Sequence, residues 1–219
     1  MSDQVRHVVF DLDGTLVDSA AGILKSMTEA LSTKGFEAKV AMTSDIIGPP
    51  LMKTLALVAG TDAPEVLAEL AAEFKRQYDG MGYRSTEPYP GVGESLRQLR
   101  DHGVKLHIAT NKRGVPTRLL LDHLDWADIF DSVYCLDEYQ QCADKAQMLA
   151  LLLAEQAIHP TTTVYVGDTE GDAVAAKSNQ VPFLHASWGY GANQLSAPAD
   201  YVCDDAKELA ALLHKHLSA

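Results

Sequence analysis

Two aspartates one residue apart end the first apolar run of the chain. The run Val8-Val9-Phe10 is β-branched and aromatic, which predicts a buried strand, and Asp11 and Asp13 follow it directly. Carboxylates at positions i and i+2 of an extended segment point to one side and repel each other, unless a cation lies between them or one of them is used chemically. Gly14 then lets the chain turn. An Asp-rich turn without function has the same local pattern, so the rest of the chain must decide.

Polar residues also follow two later apolar runs. The runs at 104–109 and 162–166 predict strands, and they are followed by Thr110 and by Asp168. Asp172 comes four residues after Asp168, where a helix is predicted to begin. Ligands of mainly parallel sheets bind beyond the carboxyl ends of the strands, so we expect these side chains to meet the first aspartate pair there.

Taken in order, these residues resemble a known set of motifs. The segment Asp11-Leu12-Asp13-Gly14-Thr15, then Thr110, Lys145, and Gly167-Asp168 with Asp172, is similar to the four motifs of the haloacid dehalogenase-like (HAD) hydrolases. A single short motif is weak, whereas four in register over nearly the whole chain are specific. The resemblance implies a Rossmann-like core and phosphoryl transfer through an aspartyl phosphate.

The resemblance also assigns roles to individual residues. Asp11 is then the nucleophile, and Asp13 protonates the leaving group and later deprotonates the attacking water. Thr110 offers its hydroxyl, and Asn111 its backbone N–H, to a phosphoryl oxygen. Lys145 supplies positive charge to the nucleophile and to the transferring oxygens.

Several carboxylates around an anionic substrate favour a hard cation, and Mg²⁺ fits this set of oxygen donors. By resemblance, the metal ligands are Asp11, the backbone carbonyl of Asp13, and Asp168. Asp172 belongs to the same metal site and is expected to orient a metal-bound water. Helix capping is the ordinary explanation for Asp168 and Asp172 when each is considered alone.

Two lysines compete for the role of the phosphoryl-binding lysine. The family often has Lys-Pro at this motif, whereas this chain has Asp144-Lys145-Ala146. Lys112, next to Thr110, is the alternative. The order of the motifs favours Lys145.

The spacing of the motifs predicts an inserted domain. The interval from Asp11 to Thr110 is far longer than the roughly 30 residues of a simple βαβ unit, and its first part shows only helical patterns. We therefore expect a helical C1 cap domain at 18–87, within an α/β core domain made of 1–17 and 88–219. Repeated β-α units predict that this core is a mainly parallel sheet with helices on both faces.

Alternating patterns define the elements of the predicted core. They predict helices at 92–102, around Leu119 and Leu124, at 144–157, 172–178 and 206–217, and strands at 104–109, 132–135, 162–166, 181–185 and 201–203.

Residues of the cap are expected to choose the substrate. Gly48-Pro49-Pro50, Tyr83-Arg84 and Tyr89-Pro90-Gly91 resemble the phosphoglycolate phosphatase-like branch of the family. Arg84 is a candidate partner for a substrate carboxylate, and Lys53 is a second one. The expected substrate is a small phosphorylated metabolite, either phosphoglycolate-like or a nucleotide or sugar phosphate.

The composition of the chain limits the expected classes of partner and the expected cellular compartment. The net charge of −12 disfavours nucleic acids and anionic membranes as partners. The start of the chain lacks an apolar signal core, so a cytoplasmic enzyme, monomeric or homodimeric, is expected. The spacing of the three cysteines suits neither a zinc site nor a disulfide framework, which predicts free thiols at Cys135, Cys142 and Cys203.

Three other functions are compatible with parts of this pattern. A dehalogenase also uses an aspartate nucleophile, but it needs neither a metal nor a second acid, so Asp13 and Thr15 argue against it. A sugar phosphomutase keeps Asp13 and returns the phosphoryl group to the substrate. A non-catalytic HAD-like binding protein is expected to have lost a core carboxylate, and this sequence retains them all.

Overall fold

A computed structural model describes residues 5–191 and 195–217, and side chains up to 213. The predicted core also includes 1–4, 192–194, 218 and 219, which lie outside the described residues. Within the described part, the strands are β1 (His7–Phe10), β2 (Val17–Asp18), β3 (Glu87–Pro88), β4 (Lys105–Thr110), β5 (Ser132–Cys135), β6 (Thr163–Gly167), β7 (Phe183–Ala186) and β8 (Tyr201–Cys203). The helices are α1 (Ala20–Thr33), α2 (Leu51–Ala59), α3 (Pro64–Gly80), α4 (Val92–Asp101), α5 (Gly114–His123), α6 (Lys145–Glu155), α7 (Glu170–Ser178) and α8 (Leu209–Leu217).

Six strands form one parallel sheet in the order β5-β4-β1-β6-β7-β8. Strand β1 lies in the middle, because the chain passes to one side of it for β4 and β5 and to the other side for β6, β7 and β8. Such a change of direction opens a crevice at the carboxyl ends of the central strands, where ligands bind in open α/β sheets. The predicted α/β fold is confirmed.

Alternation along the central strands gives the sheet two apolar faces. Val8 and Phe10 belong to a buried cluster with residues of α4, α5 and α8, whereas Val9 belongs to a cluster with residues of α6 and α7. Strands that are buried on both faces read as continuous apolar runs, as this one does. Helices therefore cover both faces, as predicted.

The inserted segment has a hydrophobic cluster of its own. Helices α1, α2 and α3, with short 3₁₀ turns at Ser44–Ile46 and Gly82–Ser85, bury side chains that include Leu55, Leu70 and Phe74. The chain enters through β2 and leaves through β3, and these two strands pair antiparallel, Val17 with Pro88 and Asp18 with Glu87. The predicted boundaries at 18 and 87 lie on this ribbon.

Several predicted element bounds were wrong by a few residues. Helix α7 begins at Glu170, two residues earlier than predicted, because Thr169 and Asp172 form a reciprocal capping box. Strand β7 begins at Phe183, after Pro182, which has no N–H to donate to a ladder. The last helix begins at Leu209 and is preceded by a 3₁₀ turn.

The three cysteines are free thiols, as predicted. Among the described helices, none combines the length and the apolarity that crossing a membrane requires.

Candidate active site

Three buried carboxylates meet at the carboxyl edge of the sheet. Asp11 follows β1, Asp168 follows β6, and Asp172 lies in the first turn of α7, with one oxygen of each within 4.8 Å of the others. Gly14 permits this arrangement, since its φ of +87° is left-handed and a Cβ there would collide with the Asp168 carboxylate. The glycine in the first motif is thus a requirement of close packing.

The electrostatics of this cluster fit a divalent cation. Burial raises the pKa of Asp11 to about 6, and burial together with Asp172 and Asp11 raises the pKa of Asp168 to about 7. Asp11 Oδ1 lies 3.0 Å from Lys145 Nζ, but within the described residues it has no well-directed hydrogen bond. Closely spaced carboxylates with an incompletely satisfied oxygen are suitable ligands for a hard cation.

Asp172 differs from the other two carboxylates because all of its acceptor positions are in use. Its Oδ1 accepts from Lys145 Nζ at 2.6 Å and from the Tyr165 hydroxyl at 3.2 Å. Its Oδ2 accepts from Thr169, at 2.6 Å from the hydroxyl and 3.0 Å from the backbone N–H. Burial alone would raise the pKa of Asp172, but Lys145 and Thr169 hold it below the ordinary value. In this structure Asp172 therefore holds Lys145 in place and caps α7. It also belongs to the cluster of three carboxylates that could hold a metal ion, and its role in orienting a metal-bound water stays a prediction.

Lys145 is the lysine that reaches the predicted nucleophile. It is the first residue of α6, whose N-cap Asp144 accepts a hydrogen bond from the Gln147 N–H. This capping accounts for an aspartate at the position before the motif lysine. Burial would lower the pKa of Lys145, but Asp11 and Asp172 raise it well above the ordinary value, so the ammonium stays charged.

Lys112 pairs with the other aspartate of the first motif. Its Nζ donates to Asp13 at 2.8 and 3.1 Å and to the hydroxyl of Tyr78 on α3 at 2.8 Å. Ser19 donates to Asp13 Oδ1 at 2.7 Å, so the hydroxyl of this N-cap residue does not cap α1. Burial would lower the pKa of Lys112, whereas Asp13 and Tyr78 raise it above the ordinary value. The two lysines thus serve two different carboxylates.

Thr110 and Asn111 lie beside the carboxylates, at the end of β4. The Thr110 hydroxyl accepts from the Lys112 N–H at 3.2 Å, which leaves its proton available for an anion. The Asn111 side-chain amide donates to the Gly48 carbonyl in the cap at 2.8 Å. Asn111 therefore joins core and cap through its side chain, a contact that the sequence did not predict.

A cavity between core and cap contains the reactive groups. Its core side includes Asp11, Asp13, Thr110, Asn111 and Lys112. Its cap side consists of residues from α1, the 44–46 turn and the segment after it, α2 and α3, most of them apolar. The lining thus brings two carboxyl groups, a hydroxyl and the ammonium group of Lys112 to one space that the cap covers.

Comparisons with known proteins agree with this geometry. The sequence pattern of the family described as haloacid dehalogenase-like hydrolase matches residues 8–186. The chain belongs to the haloacid dehalogenase-like hydrolases. It is 32% identical over 192 residues to a phosphoglycolate phosphatase of Cereibacter sphaeroides, covering 84% of this chain and 85% of that protein. This likeness confirms the predicted branch of the HAD family.

Two further similar proteins differ in the share of their own length that this chain covers. The chain is 33% identical over 186 residues to the tyrosine-protein kinase PtkA of Mycobacterium tuberculosis, and the match covers 84% of this chain but 62% of PtkA. It therefore spans about three fifths of that relative. The crystal structure of a predicted phosphatase from Clostridium acetobutylicum superposes with a TM-score of 0.87 at 26% identity, over 97% of this chain and 100% of the other.

Arg84 is the predicted site residue that the structure does not bring to the HAD site. It lies in the 3₁₀ turn at the end of the cap, is exposed, and donates to the hydroxyl of the neighbouring Tyr83. Neither Arg84 nor Lys53, which is also exposed, lines the cavity. In the described conformation Arg84 is not placed to contact a substrate in this cavity, and its role as a substrate-binding residue stays a prediction.

Other residues of the HAD site were missed by sequence reasoning. The Tyr165 hydroxyl on β6 donates to the Ala109 carbonyl at 2.9 Å besides its contact with Asp172. After β7, the Trp188 indole donates to the Thr15 carbonyl at 3.0 Å, and the Tyr190 N–H donates to Asp168 Oδ2 at 2.8 Å. A signal was present, since the aromatic and glycine-rich segment 188–191 follows a predicted strand at the edge where ligands bind.

Proposed function

We propose that this chain is a phosphatase that hydrolyses small-molecule phosphate monoesters through an aspartyl phosphate on Asp11. One observation carries the proposal: two carboxylates with different partners, Asp11 beside Lys145 and Asp13 beside Lys112, line one cavity under the cap. The separate environments suit separate roles as nucleophile and as acid and base. The names of two similar proteins, a phosphoglycolate phosphatase and a predicted phosphatase, support the same class of reaction.

In the first step, an Asp11 oxygen attacks phosphorus and the bond to the leaving oxygen breaks. The leaving alkoxide takes a proton from Asp13, which lets a poor leaving group depart as an alcohol. Lys145 offsets charge on Asp11 and on the transferring oxygens, and the Thr110 hydroxyl donates to one of them. Tyr165 and Thr169 act through Asp172, which fixes the position of Lys145.

In the second step, water attacks the phosphorus of the acyl phosphate and Asp13 takes its proton. The P–O bond to Asp11 breaks, which restores the carboxylate and releases inorganic phosphate.

We infer that Mg²⁺ is the cofactor and that Asp11 and Asp168 would hold it together with the Asp13 carbonyl. When bound, it neutralises negative charge on the phosphoryl group and on the surrounding carboxylates.

The cap argues for a small substrate. Tyr78 and Gly48 in the cap bond directly to Lys112 and Asn111 in the core, so the cavity is covered in this conformation. A macromolecular phosphoester would hold the cap away from these partners, whereas a metabolite can be enclosed. We therefore propose a small phosphorylated metabolite as the substrate, and neither nucleic acid nor membrane as a partner.

A panel of phosphate monoesters tests the function. The purified chain is assayed for release of inorganic phosphate from 4-nitrophenyl phosphate and from alkyl and sugar phosphates, with Mg²⁺ and with a chelator. We expect release that stops in chelator, returns with Mg²⁺, and is absent in Asp11→Asn. A sugar phosphate that is isomerised without phosphate release would indicate the phosphomutase reaction, and full activity in chelator would contradict the role of the metal.

A further inference from the structure

The cap side of the cavity is apolar. Helices α1, α2 and α3 and the 44–46 turn with the residue after it contribute Ile23, Met27, Ile46, Ile47, Leu51 and Phe74. A leaving group that points away from Asp11 and Asp13 must contact this surface, because the reactive groups lie on the core side. Apolar atoms gain free energy by leaving water for such a surface, whereas a charge loses it.

The cations that line the cavity already have acidic or hydroxyl partners. Among the described lining residues they are Lys112 and Arg113. Lys112 is bound to Asp13 and Tyr78. Arg113 forms two parallel hydrogen bonds with Asp79 at the end of α3. Lys112 would have to give up a contact with Asp13 or Tyr78 to bind a substrate anion. Arg113 keeps other N–H donors, but its positive charge is already paired with Asp79, so a second anion would lie close to that carboxylate.

Two further polar side chains of the lining donate to carbonyls of the cap, and the buried Asn111 Oδ1, which has no partner among the described residues, is an acceptor and cannot bind an anion. The Asn111 amide donates to the Gly48 carbonyl, and the Thr54 hydroxyl donates to the Ile46 carbonyl at 3.4 Å. Around the reactive centre, the four carboxylates Asp11, Asp13, Asp168 and Asp172 face two lysines. Because Asp13 is protonated when it acts as the acid, three carboxylates face the two lysines and a divalent cation, and a bound phosphoryl dianion makes the sum of these charges negative. A second substrate anion would therefore find no unpaired positive charge among the described residues of the lining.

We infer that the preferred substrates are phosphate monoesters with an apolar, uncharged leaving group, such as an alkyl or aromatic alcohol, and that substrates with a second acidic group are disfavoured. The inference rests on the proposed phosphatase function and narrows its substrate class. The inferred substrate class differs from the one that similarity to phosphoglycolate phosphatases suggests. Phosphoglycolate carries a carboxylate, and the described lining offers no unpaired cation to bind it. Arg84, the residue predicted to bind such a carboxylate, lies outside the cavity.

Matched pairs of esters test this inference on the wild-type chain. Ethyl phosphate is compared with phosphoglycolate, and benzyl phosphate with 4-carboxybenzyl phosphate, so that each pair differs by one carboxylate. We expect kcat/KM for the uncharged member to exceed that for the acidic member by at least about tenfold, the discrimination that a pocket of fixed chemistry supplies. Equal values within both pairs, or a preference for the acidic members, would overturn the inference.

A cation introduced into the cavity should reverse the preference. Ile23 on α1 is half-buried and lines the cavity, whereas the next residue, Leu24, is half-buried but lies outside its lining. We expect Ile23→Lys to shift the ratio within each pair toward the acidic ester by several fold, and the matched control Leu24→Lys to leave the ratio unchanged. Equal shifts in the two variants would contradict the assignment of the apolar surface.

The same assays separate failure of the inference from failure of the proposed function. If 4-nitrophenyl phosphate is hydrolysed in a manner that depends on Asp11, but neither pair shows discrimination, the phosphatase function stands and the substrate class is wrong. If no ester of the panel releases phosphate in the presence of Mg²⁺, the phosphatase function itself is wrong, and the inferred substrate class fails with it.

Discussion

Core residues around the cavity are charged and bonded to one another, whereas cap residues around it are mostly apolar. In the core, Asp11 after β1, Lys145 at the start of α6 and Asp172 in the first turn of α7 form one group connected by ion pairs. In the cap, Ile47 and Phe74 provide only an apolar surface for contact with a ligand. Electrostatic stabilisation of a transition state requires fixed charges, but the choice of a leaving group requires only contact and exclusion of charge.

Three consecutive residues after β4 connect these two regions. Asn111 bonds to Gly48, Lys112 to Tyr78, and Arg113 to Asp79. Each contact can break without disturbing the sheet, because none of the three cap partners lies on a strand of the sheet, and Tyr78 packs in the separate hydrophobic cluster of the cap. The difference between the regions teaches that the cap can vary while the chemistry of the core stays the same.

Loss of the proton donor Asp13 should change the rates for alkyl and aryl phosphates by the most different amounts. Asp13→Asn should lower kcat/KM for ethyl phosphate by about 10²- to 10⁴-fold, the usual contribution of general acid–base catalysis. Formation of the phosphoenzyme from 4-nitrophenyl phosphate should suffer much less, because 4-nitrophenolate leaves without protonation. Burst and steady-state kinetics with both esters measure the difference. Equal losses in the burst rate for the two esters would contradict the proton-donor role.

Replacing each of the two buried lysines separates the chemistry of the core from the connection between core and cap. Lys145→Met should lower kcat for aryl and alkyl phosphates alike, by about 10²- to 10³-fold, since it removes a charge beside the nucleophile. Lys112→Met should affect alkyl phosphates more, because Lys112 contacts Asp13 and the cap. Circular dichroism must first show that both variants are folded, since loss of one partner of a buried ion pair destabilises by about 3–5 kcal/mol. Identical profiles for the two variants would contradict the division between core and cap.

The ion pair between core and cap should have a smaller effect, mainly on KM. A double-mutant cycle of Arg113→Met and Asp79→Asn should give a coupling energy of about 1 kcal/mol, because the pair is partly buried. The exposed pair Arg118 and Glu138, which lies entirely in the core, is the matched control. Its cycle should show no coupling in KM. The same coupling in both cycles would mean that the contact with the cap has no special role in binding.

The core should also show an acid-sensitive site at a residue that does not line the cavity. Burial lowers the pKa of His107 to about 4, and its ring is stacked on His7 with 3.1 Å between His7 Nδ1 and His107 Nε2. In the unfolded chain the His107 ring takes up a proton below about pH 6.5, whereas in the folded chain it does so only near pH 4. The free energy of unfolding therefore falls by up to about 3 kcal/mol as the pH is lowered from 6.5 to 4. Chemical denaturation at pH 7 and pH 5 should show a smaller loss for His107→Gln than for the wild type. An equal loss would contradict this account.

Sequence reasoning succeeded where local patterns set the position of a residue. Asp11, Thr110 and Asp168 end or follow strands whose apolar runs are visible in the sequence, and parallel pairing of β1, β4 and β6 brings them together. Lys145 was identified by the order of the motifs, and its position at the start of α6 follows from capping by Asp144. These features need little information beyond hydrophobic period and strand order.

The residues that were missed depend on contacts between distant segments. Tyr78 and Lys112 are 34 residues apart, and Trp188 and Thr15 are 173 apart, so no local pattern links them. The ribbon of β2 and β3 has two residues in each strand, which is too short for an alternating pattern. Whether a cap arginine faces the cavity depends on the rotation of its helical turn, which the sequence did not fix for Arg84.

Direct detection of the phosphoryl group on Asp11 is the most decisive measurement. The chain is mixed with 4-nitrophenyl phosphate and Mg²⁺, quenched in acid within one turnover, digested, and analysed by mass spectrometry. We expect the added phosphoryl group on Asp11, more of it in Asp13→Asn because dephosphorylation lacks its base, and none in Asp11→Asn. Turnover in the wild type with no phosphorylated Asp11, or with the phosphoryl group on another residue, would contradict the assignment of Asp11 as the nucleophile.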